Sequence, residues 1–219
     1  MIVELSHIRG IIWDLDGTLY RYNDHFIEAC NVAAAQTVVE IGLNVSYNQA
    51  LIIARDSQKQ AGHSFKLFGD MGIQYSDYHH PFHDKIDHLV LIKNLELKSA
   101  LEAVSLPMVV LTNASRDWAI RALSHLDLLP IFKELNIFSL EDVGFKPKAH
   151  HTDGFDLSLK HLGVLPKDAM VVEDLSRNLV VPKKMGITTV LVHHNNEGIN
   201  EGHVDYVFED TIDVIKFLS

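Results

Sequence analysis

Two carboxylates two residues apart, Asp14 and Asp16 in Trp13-Asp14-Leu15-Asp16-Gly17-Thr18-Leu19-Tyr20, are the residues of this chain best placed to do chemistry. Ile11, Ile12 and Trp13 before them read as a buried strand, and Gly17 ends the run. The pair therefore stands where a strand leaves its sheet, the end at which open α/β sheets bind ligands. Side chains at alternate positions of an extended chain share a face, roughly 7 Å apart. One carboxylate can then attack a substrate while the other handles a proton. Acids this close repel, so a cation joins them or one takes up a proton. A bound Mg²⁺ meets the first option, because hard cations take oxygen ligands.

Further acids and donors recur at the ends of other apolar runs. Ala169 to Val172 reads as a strand and ends in Glu173-Asp174. Asp174 is the residue expected to touch the metal, Glu173 is a second candidate ligand, and Asn178 can hold these acids by hydrogen bonding. Pro107 to Leu111 ends in Thr112-Asn113, whose hydroxyl and free backbone N–H groups suit phosphate oxygens. Ser115 has the character of an N-cap, and the helix it opens favours anions at its start. Lys146, in Gly144-Phe145-Lys146-Pro147, adds a full positive charge, and Pro147 biases it toward extended or turn backbone. A nucleophile, an acid/base, a metal pair, a hydroxyl and a lysine are the equipment of phosphoryl transfer, where positioning and charge neutralisation carry most of the catalysis.

Asp14-Leu15-Asp16-Gly17-Thr18, Leu111-Thr112-Asn113, Lys146-Pro147 and Glu173-Asp174 with Asn178, in that order, resemble the motifs of the haloacid dehalogenase-like (HAD) hydrolase superfamily. The resemblance implies phosphoaspartate chemistry at Asp14, with Asp16 as acid and then base. It implies Mg²⁺ on Asp14, the backbone carbonyl of Asp16, and Asp174. A narrower likeness is to the pyrimidine 5′-nucleotidase-like branch, through Asp16 to Tyr20, Leu111 to Ser115 and His83-Asp84-Lys85-Ile86-Asp87. The chain departs from that pattern at Glu173, where an aspartate is expected. His150-His151-Thr152-Asp153-Gly154 is also about three residues longer than usual before the next helix, judged by motif spacing. Lys146 and Lys148 therefore both stand as candidates for the phosphate lysine, and Pro147 favours Lys146.

The elements that would position these residues alternate. Helices are expected over Ser115 to Leu129, Phe155 to Leu162 and Leu179 to Met185, with Gly163 and Gly186 at C-terminal caps. Thr188 to Val192 and Val204 to Phe208 read as further strands. Pro182 fits its helix only if that helix begins near Asn178. The rhythm is that of an α/β fold, a Rossmann-like parallel sheet with helices on both faces. Residues 21–95 interrupt it. Asp24 can cap a helix through Phe26, Ile27, Cys30, Ala34, Val38 and Ile41, and Ser46 with Gln49 forms a possible capping box. Residues 1–20 and 96–219 are thus expected to form the core domain. Residues 21–95 would be an inserted helical cap, as the family often has, closing over the site and choosing the substrate.

Composition agrees with a soluble enzyme of one or two domains: 219 residues, 47% hydrophobic. No run of about 18 uncharged apolar residues points to a membrane span. Glu4 and the lack of a basic start argue against a secretory signal. The single cysteine, Cys30, excludes an intrachain disulfide and fits a cytoplasmic setting. Cys30 is expected in a helix core rather than as a nucleophile. A net charge of −10 disfavours nucleic-acid polymers as partners while leaving room for a nucleotide. Among the 14 histidines, His79-His80-x-x-His83, His150-His151 and His193-His194 invite a metal site. No cysteine or acid framework completes one, so they read as exposed or pocket-lining. Phe65, Phe68, Tyr75, Tyr78 and Phe82 are open to two readings, cap core or stacking on a nucleotide base.

The function expected is Mg²⁺-dependent hydrolysis of a small phosphorylated metabolite, with a nucleoside 5′-monophosphate as leading substrate. A sugar-phosphate phosphatase or phosphomutase is the alternative enzyme, and a phosphate-binding regulator with negligible turnover is the alternative outside catalysis. The oligomeric state is not legible.

Overall fold

A computed structural model describes residues 5–193 and 202–218. His194, part of the third histidine pair, lies outside the described residues, as do Glu4 and the rest of the first four positions. The chain separates into two compact units, Met1–Arg21 with Ile92–Ser219, and Tyr22–Leu91.

In chain order the elements are β1 (Gly10–Trp13), then α1 (Asp24–Glu40), α2 (Tyr47–Ala61), α3 (Lys66–Asp70) and α4 (Tyr75–Lys85) of the second unit. The first unit resumes with α5 (Leu95–Glu102), β2 (Met108–Leu111), α6 (Arg116–His125), α7 (Leu129–Phe132), β3 (Ile137–Phe138) and α8 (Asp153–Leu162). It closes with β4 (Ala169–Glu173), α9 (Val180–Met185), β5 (Thr188–Val192), β6 (Tyr206–Phe208) and α10 (Thr211–Leu218). Residues 92–95, expected in the inserted segment, therefore belong to the core unit, where they lead into α5.

All strand pairings of the described sheet are parallel, in the order β3-β2-β1-β4-β5-β6, and helices cover both faces. Such a sheet is buried on both sides, which explains why its strands read as unbroken apolar runs. The register sets the site. Trp13 pairs with Val110 on β2 and with Val172 on β4. The residues that follow on the three strands, Asp14, Thr112 and Asp174 among them, emerge together at the carboxyl edge. That edge lies beside the place where the strand order reverses around β1, the usual position of a ligand crevice. Below it Ile12, Val109, Leu111, Phe155, Val171, Leu179 and Leu191 form a buried cluster against α8 and α9.

Local chemistry fixes the helix ends. Ser115 caps α6 by accepting from Trp118 N at 3.2 Å. Gly163 and Gly186 end α8 and α9 in left-handed conformation, where a side chain would be strained. A 3₁₀ turn over Ser176–Leu179 precedes α9, so Pro182 falls in the first turn of α9 and displaces no helical hydrogen bond. Ser46 and Gln49 form the expected capping box, whereas Asn23 rather than Asp24 caps α1.

In the second unit α1 packs on α2 and α4 around Ala34, Ala35, Val38, Ala50, Ala54, Phe68 and Tyr78. Phe65, Tyr75 and Phe82 pack against this cluster, and Tyr78 stacks on Phe82 with centroids 4.8 Å apart. These aromatics are the unit's own core. His79 and His83 are buried in α4 beside them, where exposed or pocket-lining histidines were expected. Cys30 is half-buried. Among the described residues, no helix is long and apolar enough to cross a membrane.

Candidate active site

Asp14 leaves β1 with its N–H donating to the Val172 carbonyl at 2.9 Å, which continues the β1–β4 pairing by one residue. Its carboxylate is buried. The ammonium of Lys148 donates to Oδ1, and Thr18 Oγ1 donates to Oδ2 at 3.1 Å. The chain then turns sharply at Gly17, whose φ is +93°. A Cβ there would collide with the Asp174 carboxylate, and with the positive φ this makes glycine the residue that lets the loop pass the second acidic strand end. The turn brings Tyr20 back into a bridge with Asp16. Thr211 Oγ1, at the start of α10, holds the turn by donating to the Thr18 carbonyl at 2.6 Å.

Asp16 meets a different set of partners. Its Oδ1 accepts from Trp118 Nε1 at 2.8 Å and from the Tyr20 hydroxyl. Its Oδ2 accepts from Thr112 Oγ1 at 3.2 Å, and that same hydroxyl accepts from Ala114 N at 2.9 Å. Sequence reasoning missed Thr18, Tyr20 and Trp118. The available signal for Trp118 was that a buried indole needs a hydrogen-bond acceptor.

The lysine preference needs correction. Lys146 is exposed and pairs with Asp153, away from the acids. Lys148 is buried, with Nζ on Asp14, 2.6 Å from Glu173 Oε1 and 3.0 Å from the Leu111 carbonyl. The reason is local. Pro147 opens a turn in which its carbonyl accepts from the N–H groups of His150 and His151, and the next residue, Lys148, points inward. Asn113, expected on phosphate, uses its side-chain oxygen to accept from Lys148 N at 3.2 Å and so pins that turn.

Glu173 is fully buried and both its oxygens are engaged. Oε2 accepts from Leu175 N at 3.0 Å, and Oε1 accepts from Asn178 Nδ2 at 2.8 Å as well as from Lys148. Asp14, Glu173 and Asp174 each bring an oxygen within 4.8 Å of the others. Burial raises the Asp14 carboxyl to about 7, with the Glu173 charge adding to the rise and Lys148 opposing it. Burial, then Glu173 and Asp14, push Asp174 well above the carboxylate range. Burial works against the charge of Lys148, but Asp14 and Glu173 more than offset it and hold the ammonium above the usual lysine range. Asp16 is raised by burial, against which the hydrogen bonds from Tyr20 and Trp118 act. Three crowded carboxylates, all oxygen donors, fit a hard divalent cation such as Mg²⁺.

The family model for haloacid dehalogenase-like hydrolases matches residues 11–192. A glyceraldehyde 3-phosphate phosphatase of Methanocaldococcus jannaschii is 24% identical over 97% of this chain and 99% of its own length. Among solved structures, a HAD phosphatase from Thermococcus onnurineus shares the fold at a TM-score of 0.66 and 19% identity, covering 97% of this chain and 98% of that one. A HAD family hydrolase from Deinococcus radiodurans, with bound phosphate and sodium, does so at a TM-score of 0.59 and 18% identity, covering 98% and 99%. With the family match spanning most of the chain and the acids, hydroxyl and lysine gathered at one sheet edge, the chain belongs to the haloacid dehalogenase-like hydrolases.

Proposed function

We propose that the chain is a metal-dependent phosphomonoesterase working through a phosphoaspartate at Asp14. The contrasting surroundings of the two aspartates carry this reading: a cation and a hydroxyl on Asp14, and three neutral donors on Asp16. The first arrangement holds a carboxylate in place as a nucleophile. The second holds a carboxyl group that exchanges a proton.

In the first half-reaction an Asp14 oxygen bonds to phosphorus as the ester P–O bond breaks. Asp16 gives its proton to the departing oxygen. In the second, water attacks phosphorus and gives a proton to Asp16 as the Asp14 O–P bond breaks, which returns the carboxylate and releases inorganic phosphate. Lys148 and the Thr112 hydroxyl supply positive charge and a donor for the phosphoryl oxygens. Mg²⁺ would be held by Asp14 and Asp174, with the Asp16 carbonyl as the family resemblance implies, and would neutralise charge on the transferring group. Glu173 is assigned to positioning, because its oxygens already hold Lys148, Asn178 and the Leu175 N–H.

The substrate is a small phosphorylated metabolite, and we favour a sugar phosphate over a nucleoside 5′-monophosphate. The archaeal relative matched along nearly its whole length is named for a triose phosphate. The aromatics considered for base stacking are spent on the helical unit's own core. Phosphate release from a panel of sugar phosphates and nucleotides, with and without Mg²⁺, tests both levels. Turnover is expected to require Mg²⁺ and to vanish in Asp14→Asn. Near-normal release by that variant would sink the nucleophile, and a best substrate among the nucleotides would overturn the sugar-phosphate assignment.

A further inference from the structure

The donors around Asp16 are distributed unequally. Trp118, the third residue of α6, and Tyr20 both donate to Oδ1, while the Thr112 hydroxyl donates to Oδ2. Trp118 and Tyr20 are both buried, so water does not readily replace them. An indole N–H can donate but never accept. An oxygen facing it is stabilised only while it presents a lone pair. A threonine hydroxyl can donate or accept, so the Thr112 side tolerates either protonation state. A buried tryptophan needs a partner for its N–H whatever its role. The informative fact is that the acceptor is this carboxylate, reached from 102 residues away in sequence.

We propose that Trp118 and Tyr20 are positioning residues for proton transfer by Asp16: they fasten Oδ1, fix the plane of the carboxyl group, and leave Oδ2, on the Thr112 side, as the one oxygen that carries the proton. As the P–O bond breaks, its electron pair stays on the leaving oxygen and the Oδ2 proton joins it. Oδ2 later takes a proton from the attacking water. The inference rests on the assignment of Asp16 as acid and base made above.

Its test is leaving-group dependence. Trp118→Phe removes the N–H and keeps an aromatic ring, and Tyr20→Phe removes only the hydroxyl. Each is compared with the parent on a series of alkyl and aryl phosphate monoesters. Competitive inhibition by inorganic phosphate reports on the phosphate site, and Asp16→Asn is measured alongside. General acid help is worth about 10²–10⁴-fold and matters most for poor leaving groups. Each variant is expected to lose about 10-fold or more in kcat on alkyl esters and far less on a nitrophenyl ester, with inhibition by phosphate retained. In an Asp16→Asn background, neither substitution should add to the loss. Equal losses on both ester classes, no loss on alkyl esters, or full additivity with Asp16→Asn would each overturn the proposal. If Trp118→Phe does not fold, Tyr20→Phe decides alone. The two levels separate cleanly. Should Asp16→Asn itself lack the leaving-group signature, the acid/base reading fails. Should it show the signature while Tyr20→Phe does not, only the positioning inference fails.

Discussion

Replacing Lys148 by methionine is expected to damage both stability and turnover, while the same change at Lys146 does neither. Lys148 is the cation between two buried carboxylates, with side-chain exposures of 5% for Lys148, 8% for Asp14 and 0% for Glu173. Removing one partner of a buried ion pair leaves uncompensated charge and costs about 3–5 kcal/mol. For a protein of this length that corresponds to roughly 6–20 °C in Tm. Proton uptake limits the cost, because Asp14 already sits at about 7 with the lysine present and rises further without it. The deficit should therefore be smaller at pH 6 than at pH 8. Lys146 and Asp153 are solvent-exposed partners, and such pairs contribute little.

Thermal unfolding of the metal-free proteins, followed by tryptophan fluorescence, is a suitable assay. Trp13 and Trp118 are the only tryptophans and both lie in the core unit, so the signal does not mix in the helical unit. On turnover, loss of a preorganised charge at the phosphoryl group should cost Lys148→Met at least ~10²-fold in kcat. Lys146→Met should stay near the parent. The reasoning fails if Lys146→Met is the inactive variant, or if Lys148→Met unfolds with the parent at pH 8.

Two further outcomes follow from the same acidic cluster. Since the folded Asp14 carboxyl lies at about 7 against 3.8 when unperturbed, its contribution to stability is complete below about pH 4 and is lost as pH rises through 7. Metal-free protein should lose stability from pH 5 to pH 8 and Mg²⁺ should restore it with release of protons, whereas proton-free binding in calorimetry across buffers would refute the linkage. Gly17→Ala meets both a positive φ and Asp174, so Mg²⁺ affinity should fall roughly 10–100-fold, as when groups that orient ligands are disturbed; unchanged affinity in the folded variant counts against the Asp174 site.

Legibility in the sequence tracked the range of the interactions involved. β1, β2, β4 and β5 were readable because a parallel strand buried on both faces is an unbroken apolar run. β3 was not, since two residues carry no periodicity. The acids and Thr112 could be named because each stands at or just past the carboxyl end of an apolar run, and Asn178 because it follows Glu173-Asp174 closely enough to hydrogen-bond them. The lysine was harder. Pro147 constrains the backbone of Lys146 but says nothing about which side chain faces inward, and that is settled by the turn at Pro147 and by Asn113, 35 residues away in sequence. Tyr78 and Phe82 were open to a ligand role until α1, α2 and α4 were seen to close around them. The contact of Trp118 with Asp16 was not legible, because no local pattern announces an indole delivered by a different element.

Why two aspartates so close in sequence should do different work follows from what faces each of them. Asp14, Glu173 and Asp174 place three carboxylates around one ammonium, an excess of negative charge that either protons or a divalent cation can relieve. With protons, Asp14 is neutral and a poor nucleophile. With the cation it is ionised and still held by Lys148 and Thr18. The metal dependence proposed for this site would thus lie in the charge balance of the strand ends. Asp16 is held differently: Trp118, Tyr20 and Thr112, which carry no charge, donate to it, while burial disfavours its carboxylate and the Lys148 charge favours it, so it can pass between acid and carboxylate during the reaction. A lysine in the place of Trp118 would lock Asp16 as an anion and remove the acid from the first half-reaction. The neutral donors on one aspartate and the charged partner on the other are therefore complementary parts of one arrangement.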